Sequence, residues 1–173
     1  MKHLFLDLED TIITPVLDGW HNTELVNIDK IKKVILDFNP DFINIFSFAI
    51  HDDIQKDLFN RHTRPMIELA LGVKINLIPT VDIDIKNACC NLLSLNKSTV
   101  DFAEMSNFWG KHQSFRLYCR HLFRKAYETS QTSEAFSFAE TTEVFLLDDA
   151  VEHENFEWPL LKIVGTIRNI DLI

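Results

Sequence analysis

The feature that most limits what this chain can become is an alternation along its length: short apolar runs ending on polar residues, separated by segments whose apolar residues return at helical spacing. The runs are Leu4–Leu8, Phe42–Phe48, Lys74–Ile78, Val144–Leu147 and Leu161–Val164. Runs this short and continuous suit strands buried on both faces, and the helical segments between them are long enough to serve as crossovers. The expected fold is α/β, a Rossmann-like three-layer α/β/α sandwich around a five-stranded, mainly parallel sheet. Between the first two runs, Ile28, Ile31, Val34, Ile35 and Phe38 mark a helix with Asn27 as its N-cap and Asn39-Pro40 as its stop. A second helix is expected around Asp52–Leu71, interrupted at Arg64-Pro65 and closed by Gly72, and a third over Asp84–Leu93. Residues 12–26 break the rhythm at Thr14-Pro15 and Asp18-Gly19, and an Asp-Gly pair between apolar residues predicts a small β-hairpin flap. No internal repeat or linker divides the chain, so residues 1–173 read as one domain without a separate cap.

Charge and cysteine usage narrow the function classes. With 17 Lys and Arg against 26 Asp and Glu, the net charge of −9 repels phosphate backbones and anionic membranes at long range, so long nucleic acid and membrane surfaces are poor partners. The cysteines number three, and Cys89 and Cys90 are adjacent, which does not fit a secreted disulfide framework. The start Met1-Lys2-His3-Leu4-Phe5-Leu6-Asp7 meets a carboxylate before a signal-peptide core could form, and no stretch has the length of a membrane span. A cytoplasmic location is expected. Neither zinc-type Cys/His spacing nor a glycine-rich phosphate loop occurs in the sequence.

The chemistry concentrates where the first run ends. Asp7-Leu8-Glu9-Asp10-Thr11 places three carboxylates at the carboxyl end of a buried strand, the position at which open α/β sheets bind ligands. Like charges this close favour a hard cation with oxygen ligands, and short acidic side chains suit Mg2+. The string Leu4-Phe5-Leu6-Asp7-Leu8-Glu9-Asp10-Thr11-Ile12 resembles the first signature of the haloacid-dehalogenase-like (HAD) superfamily, a hydrophobic strand followed by D-x-D-x-T. Phe42-Ile43-Asn44-Ile45-Phe46-Ser47 is similar to its second signature, and Val144-Phe145-Leu146-Leu147-Asp148-Asp149 to its fourth, in the expected order over almost the whole chain.

That resemblance implies a capless HAD phosphohydrolase: Mg2+-dependent hydrolysis of a phosphomonoester through an aspartyl-phosphate. It implies Asp7 as the nucleophile, Ser47 as a hydrogen-bond partner of the phosphoryl group, and a lysine that offsets phosphate charge, read as Lys111 after Asn107-Phe108-Trp109-Gly110 with Lys97 and Lys125 as substitutes. Asp7, Asp149, Asp148 and the backbone carbonyl of Glu9 are the implied metal ligands. The family's general acid, normally Asp two residues after the nucleophile, is here Glu9, one methylene longer. A proton misplaced by ~1 Å costs on the order of 10²-fold in rate. The implied substrates are a phosphorylated small molecule, a nucleotide or a macromolecular phosphoester, with a homo-oligomer compatible with an open site. The alternative is a HAD-fold binding or regulatory protein of weakened catalysis acting through a protein partner, in the style of chains carried by bacteriophages.

Other features have plainer readings. His112, Arg116, Arg120 and Arg124 form a basic stripe at helical spacing, read as a solvated face. Trp20 is expected to pack on its own domain, His153 to be an exposed loop residue, and the cysteines to be small buried hydrophobes.

Overall fold

A computed structural model describes residues 1–47, 49–50, 53–77, 115–116, 119, 141–159 and 162–173. Its centre is β1 (Lys2–Leu6), whose alternation divides the molecule. Leu4 and Leu6 point into one apolar cluster, with Ile31 and Val34 of α1 (Ile28–Phe38) and Ile67 and Leu71 of α3 (Arg64–Leu71). Phe5 points into a second cluster, where the helical residues Phe115 and Cys119 cover the sheet's other face. Both clusters are dry, so β1 has no polar side chain between Leu4 and Leu6 because neither face meets water.

The sheet has six strands in the order β3-β2-β1-β4-β6-β5. Here β2 is Phe42–Ile45, β3 Asn76–Leu77, β4 Thr142–Asp148, β5 Glu154–Trp158 and β6 Ile163–Asn169. Five run parallel and β5 runs antiparallel to β6 at the edge. The α/β class and mainly parallel sheet expected from the sequence are present, and the architecture is compatible with a Rossmann-like fold.

The sixth strand is the correction to the five-strand count. Glu-Asn-Phe-Glu-Trp carries charge because an edge strand needs only one apolar residue inward, and Phe156 supplies it. Its ring lies across Gly165, the residue paired opposite it, and fills the space that a β-carbon there would occupy. That glycine also disguised β6, which continues through it to Asn169 instead of stopping at Val164. At the other edge, β3 is shorter than the run Lys74–Ile78 among the described residues.

Helix boundaries follow local chemistry. Asn39 and Gly72 adopt left-handed conformations at the ends of α1 and α3, and their N–H groups bond to Ile35 O and Glu68 O. The interruption expected at Arg64-Pro65 is a π-helical stretch, Phe59–Thr63, between α2 (Asp53–Leu58) and α3, where proline sits in the first turn. Asn27 precedes α1 but makes no side-chain cap bond; its amide donates instead to the carbonyls of Asp10 and Thr11, 3.2 Å from each. The third helix expected over Asp84–Leu93 lies outside the described residues.

Residues 12–26 pair as a hairpin only at their base, through an Ile13–Leu25 bridge and the bonds Thr14 N–H to Glu24 O and Val26 N–H to Ile12 O. No strands extend from it; the tip turns into a short 3-10 helix, Trp20–Asn22. Trp20 draws that turn down, being 2% exposed, edge-on to Phe59 at 5.6 Å, and donating from its indole to Gln55 Oε1 at 2.7 Å. Burial of so large a ring outweighs two more rungs of hairpin pairing exposed to water. Among the described residues, no helix is long and apolar enough to cross a membrane.

Candidate functional site

The strand order reverses at β1. From β1 the chain moves outward through β2 to β3, then returns to place β4 on β1's opposite side. In open α/β sheets, ligands bind at the carboxyl ends of the strands where the order reverses. The register pairs Leu6 with Leu147, and the Asp7 N–H continues the ladder onto Leu147 O at 3.0 Å. One residue further, Asp7 lies just past the end of β1 and Asp148 closes β4, with Asp149 at the bend that follows.

The three acids converge. One carboxylate oxygen from each of Asp7, Asp148 and Asp149 lies within 4.8 Å of the other two. Asp7 and Asp148 are buried and Asp149 is half-buried. If ionised, each such pair repels by about 3 kcal/mol at an effective dielectric near 20, a cost that a bound divalent cation reverses. An all-carboxylate donor set of this reach fits a hard cation such as Mg2+ and does not fit a thiophilic metal.

The surrounding backbone holds the acids in place. Leu8 O accepts from the N–H groups of Thr11, Ile12 and Ile13, and Asp10 takes a left-handed conformation with φ 56°, so the chain coils tightly after Asp7. The Asn27 amide fastens the outside of that coil. On the β4 side, Asp148 Oδ1 accepts from Ala150 N–H at 2.9 Å, and Asn169 Nδ2 donates to Asp149 O at 2.6 Å. Thr11, fully buried, places its hydroxyl 3.5 Å from Asp149 Oδ1, across the seam between the two loops. The sequence places Thr11 in the D-x-D-x-T string without a role and gives Asn27 and Asn169 no part in the site. For Thr11 a signal existed, a hydroxyl four residues after Asp7 at the acid-rich strand end. The tether from Asn169 depends on the pairing of β4 with β6, which single-sequence periodicity does not reveal.

The remaining expected residues fall as follows. Ser47 is buried just past the carboxyl end of β2, the neighbour of β1, and its hydroxyl accepts from Ala49 N–H at 3.3 Å. The Glu9 carboxylate reaches away from the triad into the 12–26 loop, where it accepts from Val16 N–H at 2.8 Å. Lys111 lies outside the described residues, as do His112, Arg120 and Arg124 of the basic stripe. Arg116 is not a solvated stripe member: it pairs with Glu154 at 2.8 Å and lies over the rings of Phe156 and Trp158. Trp20 is packed on its own domain, His153 is exposed beside Asn155, and Cys119 is buried, where desolvation raises its thiol pKa.

Compared with protein-family models, with curated proteins and with solved structures, the chain matches none.

Proposed function

We propose that the protein is a capless HAD-like phosphatase, a single domain over residues 1–173, that hydrolyses a phosphomonoester with Mg2+ through an aspartyl-phosphate on Asp7. The observation that carries this reading is the convergence of Asp7, Asp148 and Asp149 within 4.8 Å at the strand-order reversal. Asp7, Asp148 and Asp149, with the Glu9 carbonyl, would hold the cation. When bound, Mg2+ would supply charge neutralisation between a carboxylate nucleophile and an anionic ester.

The chain's own groups then divide the work. A carboxylate oxygen of Asp7 forms a bond to phosphorus as the ester P–O bond breaks, and the departing oxygen takes a proton. Water next attacks phosphorus, releasing inorganic phosphate and restoring the Asp7 carboxylate. Ser47 and Lys111 would hold the phosphoryl oxygens. Glu9 would donate the first proton and accept the second, which requires its carboxylate to leave Val16 N–H. The 12–26 loop would serve as the small flap, and a cytoplasmic setting suits both the thiols and the substrate class.

The engagement of Glu9 with Val16 favours a second reading, a HAD-fold regulatory or binding protein of weakened catalysis acting through a protein partner, with Glu9 serving as a loop fastener. Turnover of an aryl phosphate separates the two. The phosphatase reading expects activity that requires Mg2+, vanishes with EDTA and is lost in Asp7→Asn; no turnover over a broad phosphoester panel leaves the regulatory reading.

A further inference from the structure

Away from the acids, two imidazoles meet on elements that are pinned together. His21 lies in the 3-10 turn of the 12–26 loop and His62 in the π-helical stretch before α3. Both are exposed, with ring centroids 6.3 Å apart and planes inclined at 65°. The backbone beneath them is fixed. Trp20 O accepts from Thr23 Oγ1 at 2.9 Å and lies 3.4 Å from Thr63 Oγ1, while the Trp20 indole is seated against Phe59 and Gln55.

The His21 ring folds back over Gly19, where a β-carbon would sit 3.0 Å from its Cε1 and 3.2 Å from Nδ1. A glycine with φ 95° therefore leaves room for the ring in this orientation. The positive charge next to His62 is offset, because Arg61 pairs with Asp57 at 2.7 Å. Two imidazoles on one tetrahedral ion, each with a metal–nitrogen bond of about 2 Å, place their ring centroids about 5 Å apart. Side-chain rotation of about 1 Å closes the gap, and exposed rings on a fixed backbone can make it.

We propose that His21 and His62 form a surface site for one borderline divalent transition ion of the Zn2+ class, with water completing its coordination. Imidazole nitrogen selects such ions over Mg2+ and Ca2+, so this site and the oxygen-only acid cluster take different metals. An ion here would tie the 12–26 loop to the helical stretch before α3, fixing the loop whose Val16 N–H holds Glu9.

The test is calorimetric titration of Zn2+ into the full-length protein in millimolar Mg2+, which competes for the acid cluster and leaves the histidines free. One Zn2+ per chain is expected, with affinity falling about tenfold or more in both His21→Gln and His62→Gln. Melting temperatures without Zn2+ should stay at the wild-type value, since neither ring is buried, and only wild type should gain stability on adding Zn2+. Unchanged affinity in either variant, or no binding by wild type, overturns the proposal. Its failure leaves the phosphatase reading untouched, because no residue is shared.

Discussion

Two clusters of carboxylate chemistry sit in this molecule and are built on opposite principles. At Glu68 on α3, a single acid collects donors: Arg64 Nε at 3.2 Å, Lys74 Nζ at 2.8 Å and the Ile75 N–H at 3.1 Å. All lie within seven residues in sequence, and together they fasten the end of α3 to the approach to β3. At the strand-order reversal, three acids from segments more than a hundred residues apart are brought within 4.8 Å of one another. The Glu68 arrangement is stabilising as it stands. The triad sets three carboxyl groups together, an arrangement whose oxygens could hold a metal ion.

The sharpest way to break the contrast is to remove one acid from each cluster. Asp7→Asn should lower aryl-phosphate turnover by about 10³-fold or more, because an amide oxygen is a far poorer nucleophile than a carboxylate. Retention of activity would dissociate the triad from catalysis. Glu68→Gln should leave turnover intact and reduce unfolding free energy by about 1–2 kcal/mol in urea titrations at neutral pH, the range of a charge-assisted network that is partly open to water.

Acid sensitivity sharpens the Glu68 side further. Lys74, then the Ile75 N–H and Arg64, hold its pKa down from 4.5 to about 2, outweighing the desolvation that raises it. A folded-state pKa below the unfolded value means that the unfolded chain binds more protons in this window. The contribution is therefore complete above about pH 4.5 and is lost as pH falls through about 2. Against wild type, Glu68→Gln should lose the slope of stability with pH across this window. A parallel slope would assign the acid response to other groups.

Asp148→Asn gives a smaller effect of opposite sign. Its amide oxygen can still accept from Ala150 N–H, while one negative charge leaves the triad. In EDTA the variant should be more stable than wild type by about 1 kcal/mol, and Mg2+ should stabilise it less than it stabilises wild type, both read from thermal melts. Destabilisation in EDTA would mean that the hydrogen bonds made by the Asp148 carboxylate outweigh repulsion within the triad, and the contrast would fall.

The difference between the clusters also explains what the sequence made legible. Asp7 and Asp148-Asp149 each end an apolar run, so their place at strand ends could be read locally, and the order of the runs was enough to expect a parallel sheet. Periodicity is silent on the side-chain direction of a loop acid. Glu9 falls at the general-acid position two residues after Asp7, yet beside the left-handed turn at Asp10 and the coil closing on Leu8 O its carboxylate accepts from Val16 N–H. β5 escaped because an edge strand with one inward phenylalanine lacks an apolar run, and its partner β6 contains the glycine that accepts that ring. In residues 12–26 the base pairing is legible from the Asp-Gly turn signal but the inward turn of the tip is not, since Trp20's burial against Phe59 depends on a helix some forty residues on.

The smallest expected effect tests whether strong electrostatic perturbation and large stabilisation are the same thing. Lys74 is the leading cause of Glu68's low pKa, yet its own side chain is 89% exposed. Arg64 is a lesser cause, but it is 33% exposed and also donates to Asn60 Oδ1 and Ile75 O. An exposed ammonium retains most of its hydration and rotamer freedom in the pair, so Lys74→Ala should cost only about 0.5 kcal/mol at neutral pH and raise the acid limb by the fraction of a pH unit that such a cost allows. Arg64→Ala should cost more in stability and move that limb less, because it unties two further acceptors. Urea titrations of the two variants across pH 2–7 check the ordering. If Lys74→Ala proves the more damaging at neutral pH, the solvent-facing ion pair and not the guanidinium lattice secures α3 against β3.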